Sequence, residues 1–333
     1  MRFVIYSLAF DAPVHFGTAA QGGKLEQAGM QYPADSLFSA LCTELAAEGA
    51  LADLARLRDG VASGQLLFSD LLPWHVVEGE MAYYLPRPVL QLVPRRKQQP
   101  LAYRETCVQA TARKRAKKLK YLRASKLADY LQTMQEGARW EEDTPEFGAQ
   151  MLAERVNCRG EEPLPYFVGA FSFDREAGLY LLAGMEREED QDWLEELLRW
   201  LGCLGIGGKR SSGYGKFHLA EDALALDEFG LYADDAAIYR MLQDKSAPWQ
   251  MALSPLLPER EEIPAVKQGS YALRHVGSFI ASAAHAEKKR GVYLVESGSC
   301  FHERLAGQVA SLGTSDGHEV LRYGKGLYVG VRI

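Results

Sequence analysis

What this 333-residue chain lacks narrows its function first. No run of ~18 consecutive apolar residues is present, which argues against a transmembrane span. Residues 1–8 are too short and too alternating for the apolar core of a signal peptide. Cysteine is scarce: the five residues Cys42, Cys107, Cys158, Cys203 and Cys300 are odd in number and widely spaced. That argues against a disulfide framework and fits a reducing cytoplasm. No two are spaced as C-x-x-C, so the close ligand spacing of a structural zinc site is missing. His302-Glu303 and His318-Glu319 lack the second histidine of an H-E-x-x-H metal motif, and Ser-His-Asp chemistry has no local signature. The expectation is a chain with no metal, no cofactor and no catalytic cluster.

What is present is an uneven distribution of charge. The net charge of −6 by itself argues against a nucleic-acid partner. Residues 87–126, however, hold thirteen of the 38 Lys and Arg but only one of the 44 acids, Glu105. The remainder carries 25 basic against 43 acidic residues, a net of −18. A basic element facing a polyanion and an acidic body facing solvent or a basic neighbour would produce this asymmetry; so would a solvated helical arm.

Residues 2–10 read as a central strand, with Phe3 and Ile5 on one face and Val4, Tyr6, Leu8 and Phe10 on the other. A glycine-containing loop follows (Gly17, Gly22, Gly23, Gly29). Asp35 then suits an N-cap for a helix over 35–48 with Leu37, Phe38, Leu41, Cys42 and Leu45 on one face. Residues 50–160 are proline-punctuated, with an extended piece at 81–85 and a single helix, basic in its first half, over 113–135. Beyond Pro163 a hairpin is expected, with strands at 166–173 and 179–185, then a helix over 190–201 and a strand over 214–219. The order βαββαβ, interrupted after its first helix, is that of a ferredoxin-like fold, which is also the RRM scaffold. Strands at 271–280, 291–296 and 320–333 suggest a second, smaller α+β domain.

The strongest motif is residues 205–217, Gly-Ile-Gly-Gly-Lys-Arg-Ser-Ser-Gly-Tyr-Gly-Lys-Phe. Its glycines permit close backbone approach, and successive amides in such a turn can form an anion-binding nest. Lys209 and Arg210 add charge, Ser211 and Ser212 add hydroxyl donors, and Tyr214 is a candidate for stacking on a base. A Walker A loop fails here because Gly208-Lys209 is followed by Arg210, and a dinucleotide fingerprint fails because Arg210 stands where its third glycine belongs. A tight helix-to-strand turn is the plainer alternative. Among the histidines, His15 beside Phe16 is the one candidate for general acid–base work, although such a histidine is more often structural or a ligand contact. Asp35 is explained by capping.

These residues resemble the fourth Csm subunit of type III-A CRISPR effector complexes, in the RAMP superfamily. The matching pieces are residues 13–17 after the opening strand, residues 34–41, the loop 205–217, Gly298-Ser299 and residues 322–325. The resemblance implies an α+β chain of two ferredoxin-like (RRM-like) domains. The first would span 1–220 with an inserted thumb at about 85–150, and the second 221–333. It implies a non-catalytic RNA-binding subunit that holds the 5′ repeat-derived handle of the CRISPR RNA and contacts the large polymerase-like subunit and the backbone subunit, with target RNA near the thumb. Handle contacts would come from Gly207, Gly208, Lys209, Arg210, Ser211, Ser212 and Gly213, with His15, Phe16, Tyr214 and Lys216 beside the RNA. The basic patch Arg113, Lys114, Arg115, Lys117 and Lys118 would belong to the thumb. The alternative is a metal-independent endoribonuclease acting on precursor CRISPR RNA, with His15 as its base.

Overall fold

The first strand, β1 (Arg2–Phe10), is buried on both faces over residues 3–8, as its doubly apolar pattern requires. It belongs to a computed structural model that describes residues 1–17, 25–92, 103–142, 145–158, 162–277, 290–315 and 318–333. Gly22, Gly23, Arg95, Arg96 and Lys97 lie outside the described residues, as does the side chain of Arg113. Two helices follow β1. In α1 (Ala34–Ala47), Leu37, Phe38, Leu41 and Leu45 form the buried stripe; in α2 (Leu51–Ser63), Leu57 and Val61 do, and Gly64 ends the helix in the left-handed conformation. Next come β2 (Leu66–Phe68), β3 (Leu72–Val77), β4 (Glu80–Pro86), α3 (Tyr103–Lys118), β5 (Tyr121–Arg123) and α4 (Leu127–Glu136). They are followed by β6 (Gly148–Asn157), β7 (Leu164–Phe173), β8 (Ala177–Met185), α5 (Glu189–Leu204), β9 (Phe217–Leu219), β10 (Leu224–Ala225) and α6 (Ala233–Gln243). The last stretch holds β11 (Trp249–Ala252), α7 (Ile263–Gln268), β12 (Leu273–Val276), β13 (Val292–Val295), β14 (Cys300–Phe301), β15 (Ala310–Ser315), β16 (His318–Arg322) and β17 (Tyr328–Val331).

The main sheet has the order β10-β1-β8-β3-β4-β5, with β9 also on β1 and β2 also on β8. All its pairings are antiparallel. One face carries α1, α2 and α5 over Val4, Tyr6 and Leu8. On the other, Phe3 and Ile5 join a core that includes Tyr130 and Leu131 of α4, Ile238 and Leu242 of α6, and Leu253, Val329 and Val331 from the last quarter of the chain. Each fully buried Leu or Phe of this kind contributes about 1.5–3 kcal/mol. Smaller antiparallel sheets pair β14-β11-β17, β12-β13 and β15-β16.

Several sequence expectations need correction. Residues 166–173 and 179–185 are consecutive strands but not partners. The strand β7 pairs with β6 over ten positions, whereas β8 crosses into the main sheet between β1 and β3. The partner strand β6 carries polar and exposed residues (Gln150, Glu154, Arg155), so its sequence has no clean apolar alternation. The single helix expected over 113–135 is broken after Lys118 by β5, because Tyr121 and Leu122 are drawn into the core beside β4. Within the stretch 85–150 assigned to a thumb, residues of 121–134 join the main core. The hairpin β6–β7 exposes Met151, Leu152, Val156, Leu164 and Phe167 to solvent. Strand 320–333 is interrupted between β16 and β17, and Tyr323 in that break packs between Phe38 and Phe68.

Candidate nucleic-acid interface

Residues 205–216 connect α5 to β9 and fold back on the segment after β1. The Gly208 amide donates to the His15 carbonyl (2.9 Å), the Gly215 amide to the Pro13 carbonyl (2.9 Å), and the Ile206 amide to the Gly215 carbonyl (3.0 Å). A methyl group at Gly207 (φ 86°) would come within 2.6 Å of the Phe16 ring, and one at Gly215 (φ 76°) would collide with the Ile206 carbonyl oxygen. Close packing within the loop and against residues 13–16 thus accounts for these two glycines. Lys209 is held in the left-handed region (φ 62°), and its ammonium lies 5.5 Å from the Tyr166 ring centroid. Residues 210–212 form a single 3-10 turn whose first amides have no acceptor within the turn.

The loop forms one wall of a cleft of about 740 Å³. His15, Gly207, Gly208 and Arg210 line that wall, together with Phe16. The same cleft is also lined by Arg87 and the basic end of α3 with its following turn, Lys117, Lys118 and Lys120. Ser36, Ser39 and Thr43 of α1 face the cleft, and Arg274 and Arg322 reach in from the C-terminal part of the chain. Lys117, Lys118 and Lys120 are exposed. Cations from five separate stretches of sequence, at 87, 117–120, 210, 274 and 322, therefore line one opening.

Arg274, Arg322 and Asp70 of the lining belong to an acid–arginine network. Asp35 is buried and accepts hydrogen bonds from Arg322 (2.6 Å) and Arg274 (3.1 Å). It does not cap α1, contrary to its place in the sequence. Pro33 occupies the cap position, and the Ala34 amide donates instead to Oδ1 of Asp70 at 2.9 Å. Asp70 also accepts the Ser297 hydroxyl at 2.6 Å, and burial pushes its carboxyl up to about 6. Burial likewise raises the Tyr32 phenol well above its ordinary value.

The expected site residues separate into distinct positions. Gly207, Gly208 and Arg210 face the cleft, but Arg210 is already paired with Glu44 of α1 at 2.6 Å. Ser211, Ser212, Gly213 and Lys216 lie outside the cleft wall, and Lys209 turns toward Tyr166. Tyr214 is buried, with its hydroxyl 3.4 Å from Arg155, so its ring faces are closed to stacking. Phe16 is also buried, its ring 4.6 Å from that of Tyr32. Nδ1 of His15 lies 2.6 Å from the Gly169 carbonyl oxygen; that acceptor requires Nδ1–H and makes Nε2 the unprotonated nitrogen of the neutral ring. Of the α3 cations, Lys117 and Lys118 face the cleft, while Lys114 and Arg115 lie beyond its lining. Sequence reasoning missed Arg87, Lys120, Asp70 and Arg274 as site residues. The first two were visible within the basic run, whereas Asp70 and Arg274 carry no local signal. No group of three or more His, Cys, Asp or Glu is placed to hold a metal ion among the described residues, and no described helix is long and apolar enough to cross a membrane.

Comparison with known proteins shows what this chain is similar to. The Csm4 C-terminal domain family matches residues 245–331. Along its whole length the chain is similar to Csm4 itself, the fourth Csm subunit, which is the resemblance carried by the loop and the flanking motifs. It is 28% identical over 335 residues to the CRISPR system Cms protein Csm4 of Mycobacterium tuberculosis, covering 99% of this chain and 98% of that one. It is 28% identical over 333 residues to its Streptococcus thermophilus counterpart, covering 98% of each. In fold it matches a Csm3–Csm4 subcomplex of the type III-A interference complex (TM-score 0.62, 16% identity, 100% of both chains). It also matches a Csm1–Csm4 cassette with AMPPNP (TM-score 0.57, 18% identity, 100% of this chain and 99% of that one).

Proposed function

We propose that this chain is a non-catalytic RNA-holding subunit of a type III-A CRISPR interference complex. It grips the 5′ repeat-derived handle of the CRISPR RNA between the glycine loop and the basic end of α3. It joins the large polymerase-like subunit to the backbone subunit, the counterparts of Csm1 and Csm3 in the related assemblies. Target RNA passes along the exposed cations of α3. The observation that carries this reading is the convergence of Gly207, Gly208 and Arg210 with Arg87, Lys117, Lys118 and Lys120 on one cleft. Cations at the rims suit phosphates, and contacts of this kind position RNA without reading much sequence. The strand order β9-β1-β8-β2, with α1 and α5 on one face, supports a ferredoxin-like first unit ending near residue 220. The separate sheet β14-β11-β17 supports a smaller second unit.

Binding of a fluorescent single-stranded RNA ending in the handle, measured across a salt series, tests this reading. Three or four phosphate contacts predict a slope of roughly −2 to −3 in log affinity against log salt. Lys117→Ala with Lys118→Ala should weaken binding and flatten that slope; an unchanged slope would remove α3 from the interface. One observation favours a second reading, an endoribonuclease: His15 faces the cleft with Nε2 as its proton acceptor. Cleavage of repeat RNA in the same samples, abolished by His15→Ala, would establish that activity and overturn the non-catalytic assignment.

A further inference from the structure

The loop between β10 and α6 does something that neither the cleft nor the core explains. Phe229 is 84% exposed and Leu231 64% exposed, side by side around Gly230. Their backbone is nevertheless fixed. Oδ1 of Asp227 accepts the amides of Phe229 and Gly230, both at 2.9 Å. The Asp235 carboxylate accepts those of Leu231 (2.7 Å), Tyr232 (2.8 Å) and Ala236 (2.8 Å). Gly230 has φ 67°, and a methyl group there would come within 2.6 Å of the Ala236 Cβ. Two carboxylates thus hold five amides in place to present two large apolar side chains to water. Such presentation costs free energy in the isolated chain, and it lowers the ordering cost of any partner that covers the pair.

The charge around the pair identifies the kind of partner. Residues 221–235 contain six acids, Glu221, Asp222, Asp227, Glu228, Asp234 and Asp235, and no Lys or Arg. Asp234 is consumed inside the fold by Arg123 and by the amides of Tyr83 and Ser125. Glu221, Asp222, Asp227 and Glu228 remain exposed, Asp222 lying 3.9 Å from Arg199 of α5, and Glu221 and Glu80 both bear on the Tyr232 hydroxyl. An acidic segment of this sort repels phosphates and anionic lipid, so it disfavours RNA and membrane surfaces. It complements a protein recess lined by apolar groups and rimmed by Lys and Arg. None of residues 221–235 lines the cleft, so an occupant here leaves the RNA site open.

We infer that Phe229 and Leu231 are the apolar anchor of a protein–protein interface, seated in a Lys/Arg-rimmed hydrophobic recess on another subunit of the assembly. The inference rests on the proposed membership in that complex and adds which surface makes the joint. Its test uses the full chain with the purified large subunit and, separately, the purified backbone subunit. Phe229→Ala with Leu231→Ala should weaken association with one of them by about tenfold or more, as loss of a buried hot spot does. Melting temperature and handle-RNA affinity should be unchanged. Asp222→Lys with Glu228→Lys should slow association with the same subunit, most strongly at low salt. Unchanged affinity for both subunits would overturn the inference while leaving the RNA-holding function intact. Loss of RNA binding in the double-alanine variant would mark the loop as an RNA surface. Concentration-dependent self-association removed by that variant would mark it as a contact between copies of this chain, and either result overturns the inference. A wild-type chain that binds neither subunit would overturn both this inference and membership in the complex.

Discussion

Asp35 is paired with two guanidinium groups that line the cleft, and its partner Arg322 is almost as deeply buried. Removing the carboxylate takes a charge partner from both guanidinium groups in a buried setting, so Asp35→Ala should cost about 3–5 kcal/mol in a denaturant melt. Asp70, in the same network, makes a pH-dependent contribution of opposite sense to a salt-bridged acid. Its folded value of about 6 exceeds its ordinary 3.8, so the folded state holds the proton more tightly than the unfolded state. The stability it supplies is present in full below about pH 4 and is lost as pH rises through about 6. Thermal melts from pH 4 to 7.5 should therefore show wild type gaining on Asp70→Asn as pH falls; a constant difference would contradict the assignment. Gly207→Ala must carry a side chain at φ 86° into the Phe16 ring, and a loss of about 1–3 kcal/mol is expected for such strain. These residues show where sequence reading stops. Asp35 before an apolar helical stripe has the local signature of a cap, but its real partners lie 239 and 287 positions away. Tyr214 in a glycine-rich loop has the composition of a stacking platform, yet nothing local reveals that its ring is buried.

Elements whose signal is local periodicity were readable: β1, the stripes of α1 and α5, and the loop that follows α5. Elements defined by a distant partner were not. The strand β8 is buried at all nine positions, and its apolar run is the same whether it pairs with the strand before it or with β1. The short strand β2 offers only three residues, too few for an alternation. The basic run was visible in composition, but the division of the helix expected over 113–135 into α3, β5 and α4 depends on Tyr121 and Leu122 finding the core. At this scale the end of α3 can be tested as a unit. Adding Lys120→Ala to the Lys117/Lys118 pair should reduce the salt slope of handle binding by up to about 0.7 for each phosphate no longer neutralised. Alanine at Lys114, beyond the cleft lining, should change the slope less.

Across the whole molecule, the two faces of the main sheet are unequal in origin. The helices α1, α2 and α5 cover one face from within the first 220 residues, whereas α6, β11 and β17 complete the other. The hydroxyl of Tyr323 also donates to the Phe68 carbonyl and accepts from the Phe68 amide, joining the last part of the chain to β2. Residues 1–220 alone should therefore lack a cooperative thermal transition, while the full chain should unfold in one calorimetric peak. Two separate peaks would show that the second unit is only loosely attached. The pairing of Asp35 with Arg322 has a further consequence during synthesis. A ribosome releases α1 first and the glycine loop next, then adds about a hundred more residues before Arg322 emerges. The nascent chain thus carries the cations of the proposed RNA grip long before the Asp35–Arg322 pair can form, and on that proposal a guide is seated only after Arg322 has emerged.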